Sequence, residues 1–282
     1  MRPLFLLLLF LLMTDTPTHA QTGAFRVMTW NIRFDNPSDG PDAWPLRRER
    51  VLGLIRFHAP DVFGIQEGLA AQVEYLKSEL PEYTCVGVGR DDGKAGGEFS
   101  ALFFRQDRFT ATQSGTFWLS PSPEKPSKGW DAALNRICTY AVLADRQTGG
   151  RVFVFNTHFD HVGDTARLRS AQLLVSKMAE LNPQGHPAVI MGDFNAAPGS
   201  PPIQTLASAW SDARVAGRTP PYGPEGTFNG FRPAAEPLGN RIDYVFVQQC
   251  SVQRYAALSD QWLGRYPSDH LPVLADLLAG HR

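Results

Sequence analysis

Short apolar runs rich in β-branched and aromatic residues recur along this chain, and polar residues end several of them. Several runs alternate with period two, which predicts strands. The predicted strands are Ala24–Ile32, Asp61–Gln66, Tyr83–Val88, Phe99–Phe104, Ile137–Leu143, Val152–Asn156, Ala188–Met191, Ile242–Val247, Val252–Leu258 and Leu271–Leu274. Helical spacing of apolar residues predicts helices over Arg47–Phe57, Leu69–Leu80, Asp164–Leu181 and Pro201–Ala209. Many strands with a few interspersed helices predict α/β layers, with two packed sheets and the helices outside.

The first 20 residues are predicted to lie outside the fold. Arg2 precedes an apolar, Leu-rich run from Pro3 to Met13, and Thr18-His19-Ala20 resembles a small-residue cleavage site. This is the pattern of a secretory signal peptide, with an uncleaved N-terminal anchor as the alternative. We therefore expect residues 1–20 to be a signal peptide cleaved near Ala20. Residues 21–282 would form one exported domain, periplasmic or secreted.

The charge balance and the cysteines exclude some classes of function. The chain has 27 Lys and Arg against 28 Asp and Glu, a net charge of −1. A near-neutral chain argues against a broad surface for polymeric nucleic acid, although a local basic pocket stays possible in principle. Cys85, Cys138 and Cys250 do not have the spacing of a zinc site. We expect them mainly as buried apolar residues, with one disulfide left open.

The strand Ala188–Met191 is followed by Gly192-Asp193-Phe194-Asn195. An Asp and an Asn two apart on a strand share one face, so both can point into a cleft. A carboxylate that positions water beside an amide that holds a phosphoryl oxygen suits hydrolysis of a phosphate ester. Taken alone, such a pair at a strand end is more often simply part of a turn.

Other predicted strands end in the same way. Asn31 closes the first strand and Glu67 follows the second. A Glu at the end of an apolar strand is costly to bury unless it is paired or binds a cation such as Mg²⁺, and the alternative is a solvated helix cap. His158 and Asp160 follow the sixth strand and are expected to share a face, with His161 pointing elsewhere if the strand continues.

Two further segments complete the pattern. Asp243 begins the eighth predicted strand after Asn240 and Arg241, and Asp269 and His270 precede the last strand. Adjacent side chains diverge on a strand, so Asp269 could meet a cation while His270 meets a phosphate. Asp243 could then orient the imidazole of His270.

Together these motifs resemble the endonuclease/exonuclease/phosphatase superfamily, which includes DNase-I-like nucleases, inositol-phosphate phosphatases and sphingomyelinases. The resemblance runs from Met28-Thr29-Trp30-Asn31 to Ser268-Asp269-His270-Leu271-Pro272. It is strongest for an exported bacterial branch, with Gly89–Gly93 and Ser114–Ser120 among the matching segments. The resemblance implies a four-layered α/β/β/α sandwich of two packed mixed sheets with flanking helices.

The resemblance also implies a role for each matching residue. It implies that Asp193 orients or deprotonates the attacking water, that Asn195 holds the phosphate, and that His158 contacts the phosphate or leaving oxygen. His270 is expected to stabilise the transition state, oriented by Asp243.

A metal is implied as well. Glu67 matches the principal metal-binding carboxylate, with Asn31 nearby and Asp269 as a further ligand. The implied ion is Mg²⁺ or Mn²⁺. The mechanism expected is metal-assisted, in-line attack of water on a phosphodiester or a phosphomonoester. The number of metal ions and the identity of the general base stay open.

Specificity is expected to lie in the loops. Arg136 starts a strand after the long loop Ser120–Asn135 and is expected to face the site and bind substrate. The candidates, in all, are Trp44, Arg47, Arg48, Arg90, Trp118, Trp130 and Arg136. No dense Lys/Arg groove and no exposed pair of aromatics on a hairpin is evident, which favours a small or short phosphorylated substrate and a monomer. The alternatives are a nuclease for short or single-stranded nucleic acid and a silent protein that binds a phosphorylated ligand.

Overall fold

The computed structural model describes residues 23–232 and 238–280, so the predicted signal peptide lies outside the described residues. The strands are β1 (Ala24–Asn31), β2 (Val62–Gln66), β3 (Tyr83–Val86), β4 (Leu102–Arg105), β5 (Phe109–Trp118), β6 (Ile137–Asp145), β7 (Arg151–His158), β8 (Ala188–Asp193), β9 (Ser211–Asp212), β10 (Asp243–Gln248), β11 (Cys250–Ala257) and β12 (Val273–Ala279). The helices are α1 (Trp44–His58), α2 (Ala70–Glu79), α3 (Asp164–Leu181), α4 (Pro201–Ala207), α5 (Ala213–Ala216) and a 3-10 helix, Pro37–Asp42.

The strands form two mixed sheets of six strands each. One has the order β11-β12-β1-β2-β4-β3 and the other β5-β6-β7-β8-β10-β9. Each sheet has one parallel pair at its centre, β1 with β2 and β7 with β8, and its other pairs are antiparallel. The expected sandwich of two packed mixed sheets with flanking helices is confirmed.

Three apolar layers hold the sandwich together. Val27 and Val62 of the first sheet pack with Val154 and Val189 of the second to form the middle layer. The helices α1 and α2 cover the outer face of the first sheet, and α3 and α4 cover the second. Each fully buried Val or Leu side chain contributes about 1.5–3 kcal/mol, so the packed faces dominate stability.

The strand β5 was not predicted from the sequence. It pairs only with β6 and forms an edge of its sheet, with several exposed residues in its middle. An edge strand needs no continuous apolar pattern, and the polar run Thr112–Ser114 obscured it.

A buried polar network joins the two sheets near the ends of β2 and β7. Asn156 donates from Nδ2 to the carbonyls of Ile65 and Ala101, at 2.9 Å each, and Gln66 donates to Asn156 Oδ1 at 2.6 Å. Gly64 makes room, because a Cβ there would lie 2.4 Å from Asn156 Cγ. The network fixes the spacing of the sheets beside the polar strand ends.

The cysteines carry free thiols. Cys138 is fully buried, whereas Cys85 and Cys250 are partly buried, and burial raises the pKa of each thiol. No disulfide joins these three residues. Within the described ranges, none of the helices is both long and apolar enough to cross a membrane.

Candidate active site

The register of the second sheet places three predicted site residues side by side. His158 ends β7 opposite Asp193 at the end of β8, and Asp193 lies opposite Asp243 at the start of β10. Asn31, at the end of β1 in the other sheet, donates from Nδ2 to Asp193 Oδ2 at 3.0 Å. The two sheets therefore bring residues far apart in sequence to one edge of the sandwich.

Asp193 is the centre of this group. Its Oδ2 atom lies 3.4 Å from His158 Nε2 and 3.8 Å from His270 Nε2. Its Oδ1 atom accepts a 2.9 Å hydrogen bond from the backbone N–H of Asn195. Burial, helped by the negative charge of Asp243, raises the pKa of Asp193 to about 7. The carboxylate is thus poised to change protonation near neutral pH.

His270 is held by Asp243. His270 Nδ1 lies 2.9 Å from Asp243 Oδ2, and Thr227 Oγ1 donates to the same oxygen at 2.6 Å. Burial alone would lower the pKa of His270, but the charges of Asp243 and Asp193 outweigh it and hold the pKa well above its usual value. His270 is therefore an imidazolium in this arrangement, with Nδ1–H directed to Asp243 and Nε2–H free to donate.

Thr227 was missed by the sequence reasoning. It lies 16 residues before Asp243, in the loop between α5 and β10, and its Oγ1 also accepts from the backbone N–H of Asp243 at 3.1 Å. No sequence pattern distinguishes this Thr from others in that loop. Its role depends on tertiary contact alone.

His158 is electrostatically different from His270. Burial, together with the charges of Arg136 and Arg90, holds the pKa of His158 well below its usual range, so the ring is neutral. Asn195 Nδ2 lies 3.1 Å from His158 Nε2, which assigns the ring proton to Nδ1. Glu98 Oε2 lies 3.9 Å from that Nδ1. Because the His158 ring is neutral, its 3.4 Å contact with Asp193 is not an ion pair.

Asn195 reaches the site in a way that the sequence did not predict. The strand ends at Asp193, and Asn195 has a left-handed backbone with a φ of 46°. Its Nδ2 donates to Phe159 O at 3.0 Å and faces His158. The expectation that Asp193 and Asn195 share a strand face is therefore wrong, because a turn, and not strand alternation, points both into the cleft.

The expectation that His158 and Asp160 share a strand face is also wrong. The strand β7 ends at His158, and Asp160 accepts from Arg136 Nε at 3.2 Å. Backbone N–H groups, chiefly that of Gly163, hold the pKa of Asp160 low despite its burial. Because the chain has left the strand, His161 lines the same cleft and its Nδ1 lies 2.9 Å from Arg136 Nη2.

Arg136 lies where the sequence placed it, in the cleft wall. Its side chain is almost fully buried, and Nη1 has no hydrogen-bond partner among residues 23–232 and 238–280. An unpaired N–H of a buried guanidinium is costly, and a phosphoryl oxygen would satisfy it. The substrate-binding role of Arg136 itself stays a prediction.

Glu67 and Asp269, two of the three residues predicted to bind metal, line the same cleft, and the third, Asn31, contacts Glu67. Asn31 Nδ2 donates to Glu67 Oε1 at 3.0 Å, and the Phe34 N–H donates to Glu67 Oε2 at 3.2 Å. Glu67 has a strained φ of 64°, which turns its carboxylate into the cleft. Arg33 lies 3.9 Å from Glu67 and 4.0 Å from Asp269.

This donor set fits a hard cation. Burial and the negative charge of Glu67 raise the pKa of Asp269, although His270 acts in the opposite direction. Two carboxylates that repel each other in a cleft are the arrangement that a bound divalent ion stabilises. Glu67 and Asp269 would hold it. The ligand role expected of Asn31 stays a prediction, because its Nδ2 faces Glu67 and its Oδ1 accepts from the Arg33 N–H at 3.0 Å.

A different group, made of Asp193, Asp243 and His270, has ligand atoms within 4.8 Å of one another. Here, however, His270 Nδ1 is engaged by Asp243 Oδ2, the oxygen that also accepts from Thr227. We interpret this group as a hydrogen-bonded chain that orients His270, with metal binding as the secondary reading.

Three of the seven candidates for specificity make structural contacts. The expectation that Arg47 contacts substrate is wrong, because its guanidinium is buried and donates to five backbone carbonyls. Trp118 is buried and donates to Arg90 O at 2.7 Å. Trp44 packs edge-on against Tyr75.

The cleft has a volume of about 490 Å³. Apart from Leu134, Phe228, Phe34 and Ile242, its lining is polar or charged. Such a polar cavity suits a small, hydrated and charged ligand. The lining residues are Arg33, Phe34, Glu67, Glu98, Leu134, Arg136, His158, His161, Asp193, Asn195, Phe228, Ile242, Asp269 and His270.

Known proteins share both the sequence pattern and the fold. A model of the endonuclease/exonuclease/phosphatase family matches residues 28–270. An endonuclease/exonuclease/phosphatase family protein from Bacteroides thetaiotaomicron is 38% identical with a TM-score of 0.88, over 93% of this chain and 100% of that one. The mannosyl-6-phosphatase of Bacteroides thetaiotaomicron VPI-5482 is 39% identical with a TM-score of 0.87, over 90% and 99%.

Nocturnin from Xenopus laevis is 27% identical over 300 residues, which covers 91% of this chain and 73% of nocturnin. The family match spans most of the chain, and the two bacterial structures are similar over nearly their full length. The resemblance that the sequence motifs indicated is therefore confirmed. The chain belongs to the endonuclease/exonuclease/phosphatase family and is a hydrolase that acts on phosphoesters.

Proposed function

We propose that this protein is an exported, divalent-metal-dependent phosphatase that removes phosphate from a small hydroxylated molecule. One observation carries the proposal. Asp193 lies at the bottom of a polar cleft with Asn31, His158 and His270 around a single carboxylate oxygen, at 3.0, 3.4 and 3.8 Å. A binding protein would not need a buried carboxylate whose pKa is raised to about 7.

The chain's own groups support attack by water. Ionised Asp193 accepts a hydrogen bond from the water and takes its proton as the oxygen attacks phosphorus. The bond from phosphorus to the leaving alcohol breaks on the opposite side. The leaving oxygen takes a proton from solvent water, and Asp193 returns its own proton to solvent when the products leave. A bound Mg²⁺ or Mn²⁺ would polarise a phosphoryl oxygen and stabilise the leaving oxygen.

Two donors face the developing charge. His270 donates from Nε2 as an imidazolium, and Arg136 donates from Nη1, which is unpaired among the described residues. Fixed donors in a buried site stabilise a transition state without reorganisation, and removal of one costs about 10²–10³ in rate.

The size and charge of the cleft favour a monoester of a small alcohol. The cationic side chains of its wall, Arg33 and Arg136, are each already near a carboxylate, so few charges are left for a polyanion. The similar mannosyl-6-phosphatase makes a sugar phosphate the first substrate to test. A nuclease acting on short or single-stranded nucleic acid is the second candidate, and the similarity to nocturnin is what supports testing it.

The test is a panel of substrates with purified protein. It contains p-nitrophenyl phosphate, mannose 6-phosphate, bis-p-nitrophenyl phosphate, single-stranded DNA and RNA, each with Mg²⁺, Mn²⁺ or EDTA. We expect metal-dependent turnover, highest for the monoesters. A preference for the nucleic acids would contradict the phosphatase proposal and support the nuclease. Turnover that persists in EDTA would show that the reaction does not depend on a divalent metal.

Two variants link turnover to the site. His270→Ala is expected to lose about 10² in rate while it folds normally. His186→Ala is the matched control, because His186 lies at the start of β8, at the opposite end of the strands from the cleft, and stacks on Phe153. Equal losses in both variants would argue against the assigned site.

Export is the remaining part of the proposal. It rests on the Leu-rich run and the cleavage-like Ala20 near the start of the chain. Expression of the full chain, followed by fractionation and N-terminal sequencing, tests it. Processed protein outside the cytoplasm that begins near Gln21 is the expected result, and a full-length cytoplasmic product would contradict it.

A further inference from the structure

A groove of about 630 Å³ lies beside the cleft, between the start of α3 and the start of α4. The cleft and the groove share one residue, Asn195. Thr165, Leu168 and Gln172 of α3 line one side, and Ala197 and Pro201 line the other. The groove therefore begins at a residue that also lines the cleft beside Asp193, and it leads away from the cleft.

We propose that this α3–α4 groove binds a second hydroxylated unit, a sugar, attached to the unit that carries the phosphate. The inference rests on the proposed function, because it assigns the rest of the substrate of the same site. The natural substrate would then be a phosphorylated oligosaccharide, with its phosphate at Asp193 and its next sugar beyond Asn195.

Asn195, which lies between the cleft and the groove, has a free hydrogen-bond acceptor for a hydroxyl of the bound sugar. Its Nδ2 donates to Phe159 O and faces His158, which uses both amide hydrogens. Among residues 23–232 and 238–280, no group donates to its Oδ1. A sugar hydroxyl that lies between cleft and groove can donate to this oxygen without displacing any existing hydrogen bond.

The surface of the groove suits a sugar ring. Its base is made of small or rigid apolar residues, namely Ala196, Ala197, Pro201 and Pro202, which can contact the C–H face of a ring. The rim offers the hydroxyl of Thr165 and the amide of Gln172. An apolar surface with a few polar groups at its edge is the usual form of a site for a small ligand.

The charges of the groove argue against a nucleic acid strand. Asp164 and Arg167 pair with each other, and Arg167 also donates to Asp160 O at 2.9 Å. Arg169 donates to Gln172 Oε1 at 3.1 Å, and it is the one Arg of this groove without a carboxylate partner among the described residues. A nucleic acid strand binds through several contacts between cationic side chains and its phosphates. A single arginine without a carboxylate partner provides too few of these contacts.

The test compares matched pairs of substrates. One pair is mannose 6-phosphate and the mannose disaccharide with the same phosphate on its non-reducing sugar. The other is adenosine 5′-monophosphate and the 5′-phosphorylated adenosine dinucleotide. We expect kcat/KM to be about 10-fold higher for the disaccharide than for the monosaccharide, with little gain for the dinucleotide. Equal values in the sugar pair, or a gain in the nucleotide pair alone, would overturn the proposal.

Two substitutions locate the effect. Gln172→Trp fills the groove and is expected to reduce the disaccharide preference to near one. Gln204→Trp is the matched control, because Gln204 is exposed on α4 and lines a different pocket. Thr165→Trp is a second way to fill the groove if Gln172→Trp is unstable. A preference that survives a folded groove-filling variant would contradict the assignment.

Failure of the proposed function gives a different result. If p-nitrophenyl phosphate is turned over but the sugar pair shows no difference, the groove assignment fails and the phosphatase stands. If no monoester is turned over, calorimetry with the Asp193→Asn variant compares binding of the same two sugars. Tighter binding of the disaccharide would support the groove, and equal binding would overturn it.

Discussion

His270 Nδ1 and Asp243 Oδ2 lie 2.9 Å apart at the edge of the second sheet, and the same oxygen accepts from Thr227. The Asp243 carboxylate keeps His270 charged and aims Nε2 at the centre of the cleft. Asp243→Asn would remove this charge and place an amide against the ring. We expect kcat to fall by at least about 10² with little loss of folding, measured by steady-state kinetics and thermal denaturation.

Thr227→Val is the control for that change, because it removes a partner of Asp243 while the carboxylate stays. We expect a smaller loss of kcat than in Asp243→Asn. An NMR titration of the His270 ring provides a readout independent of turnover, since its pKa should fall in Asp243→Asn. Wild-type kcat in a well-folded Asp243→Asn variant would show that the pair has no part in the reaction.

Asp193 predicts how the rate depends on pH. Burial raises its pKa to about 7, and only the ionised carboxylate can accept a proton from water. The value of kcat/KM should therefore rise with pH and level off above about 7. A bound cation favours the ionised form of Asp193 and would shift the rise of kcat/KM to lower pH. A flat profile between pH 5 and 8, at saturating metal, would contradict the base role.

The same ionisation has a cost in stability. The folded-state pKa of Asp193 lies above the ordinary value of 3.8, so the folded protein binds this proton more tightly than the unfolded chain does. Its contribution to stability falls as pH rises from about 4 to about 7. Asp193→Asn should thus be inactive, yet more stable than the wild type at pH 8 by at least about 1 kcal/mol, with the difference shrinking near pH 4. Denaturant unfolding of both proteins at the two pH values measures it.

The sequence could locate much of the site because its residues end apolar strands. Asn31, His158 and Asp193 each close a run of buried residues, and parallel neighbours in a sheet bring such ends to one edge. Thr227 lies in an irregular loop, and its partner is distant in sequence. Arg47 was predicted to contact substrate because its partners are backbone carbonyls, and no residue type in the sequence identifies such partners.

Gly64 predicts how tightly the two sheets are fixed. A Cβ there would lie 2.4 Å from Asn156 Cγ, and hydrogen bonds with Gln66, Ile65 and Ala101 hold the Asn156 side chain in place. Gly64→Ala should lower the free energy of unfolding by roughly 1–3 kcal/mol and reduce activity as well. Gly53→Ala is the matched control, because Gly53 lies within α1 and a Cβ there meets nothing within 4 Å. That change should stabilise by about 0.5–1 kcal/mol. Urea unfolding measures the stability of both variants, and similar stabilities for the two would contradict the steric argument.

Arg47 connects the two chain segments that contain Asn31 and Asp269, two of the residues predicted to bind metal. Its guanidinium donates to the carbonyls of Ile32, Arg33 and Phe34 on one side and of Pro267 on the other, besides that of Asp42. Burial lowers the pKa of Arg47 to about 10, and the negative charges of Asp269 and Asp39 partly offset this effect. Lysine has the charge but not the planar fork, so it cannot hold both segments.

Arg47→Lys should therefore raise the Mg²⁺ concentration needed for half-maximal activity by about 10-fold, beyond any loss of stability. Arg108→Lys is the control, because Arg108 is equally buried at the far end of the strands, where it pairs with Asp61 and Asp145. It should lose similar stability with no change in metal dependence. The Mg²⁺-induced shift of the melting temperature gives a second readout without turnover. If the two variants show the same metal dependence in both measurements, Arg47 stabilises the fold and does not position the metal site.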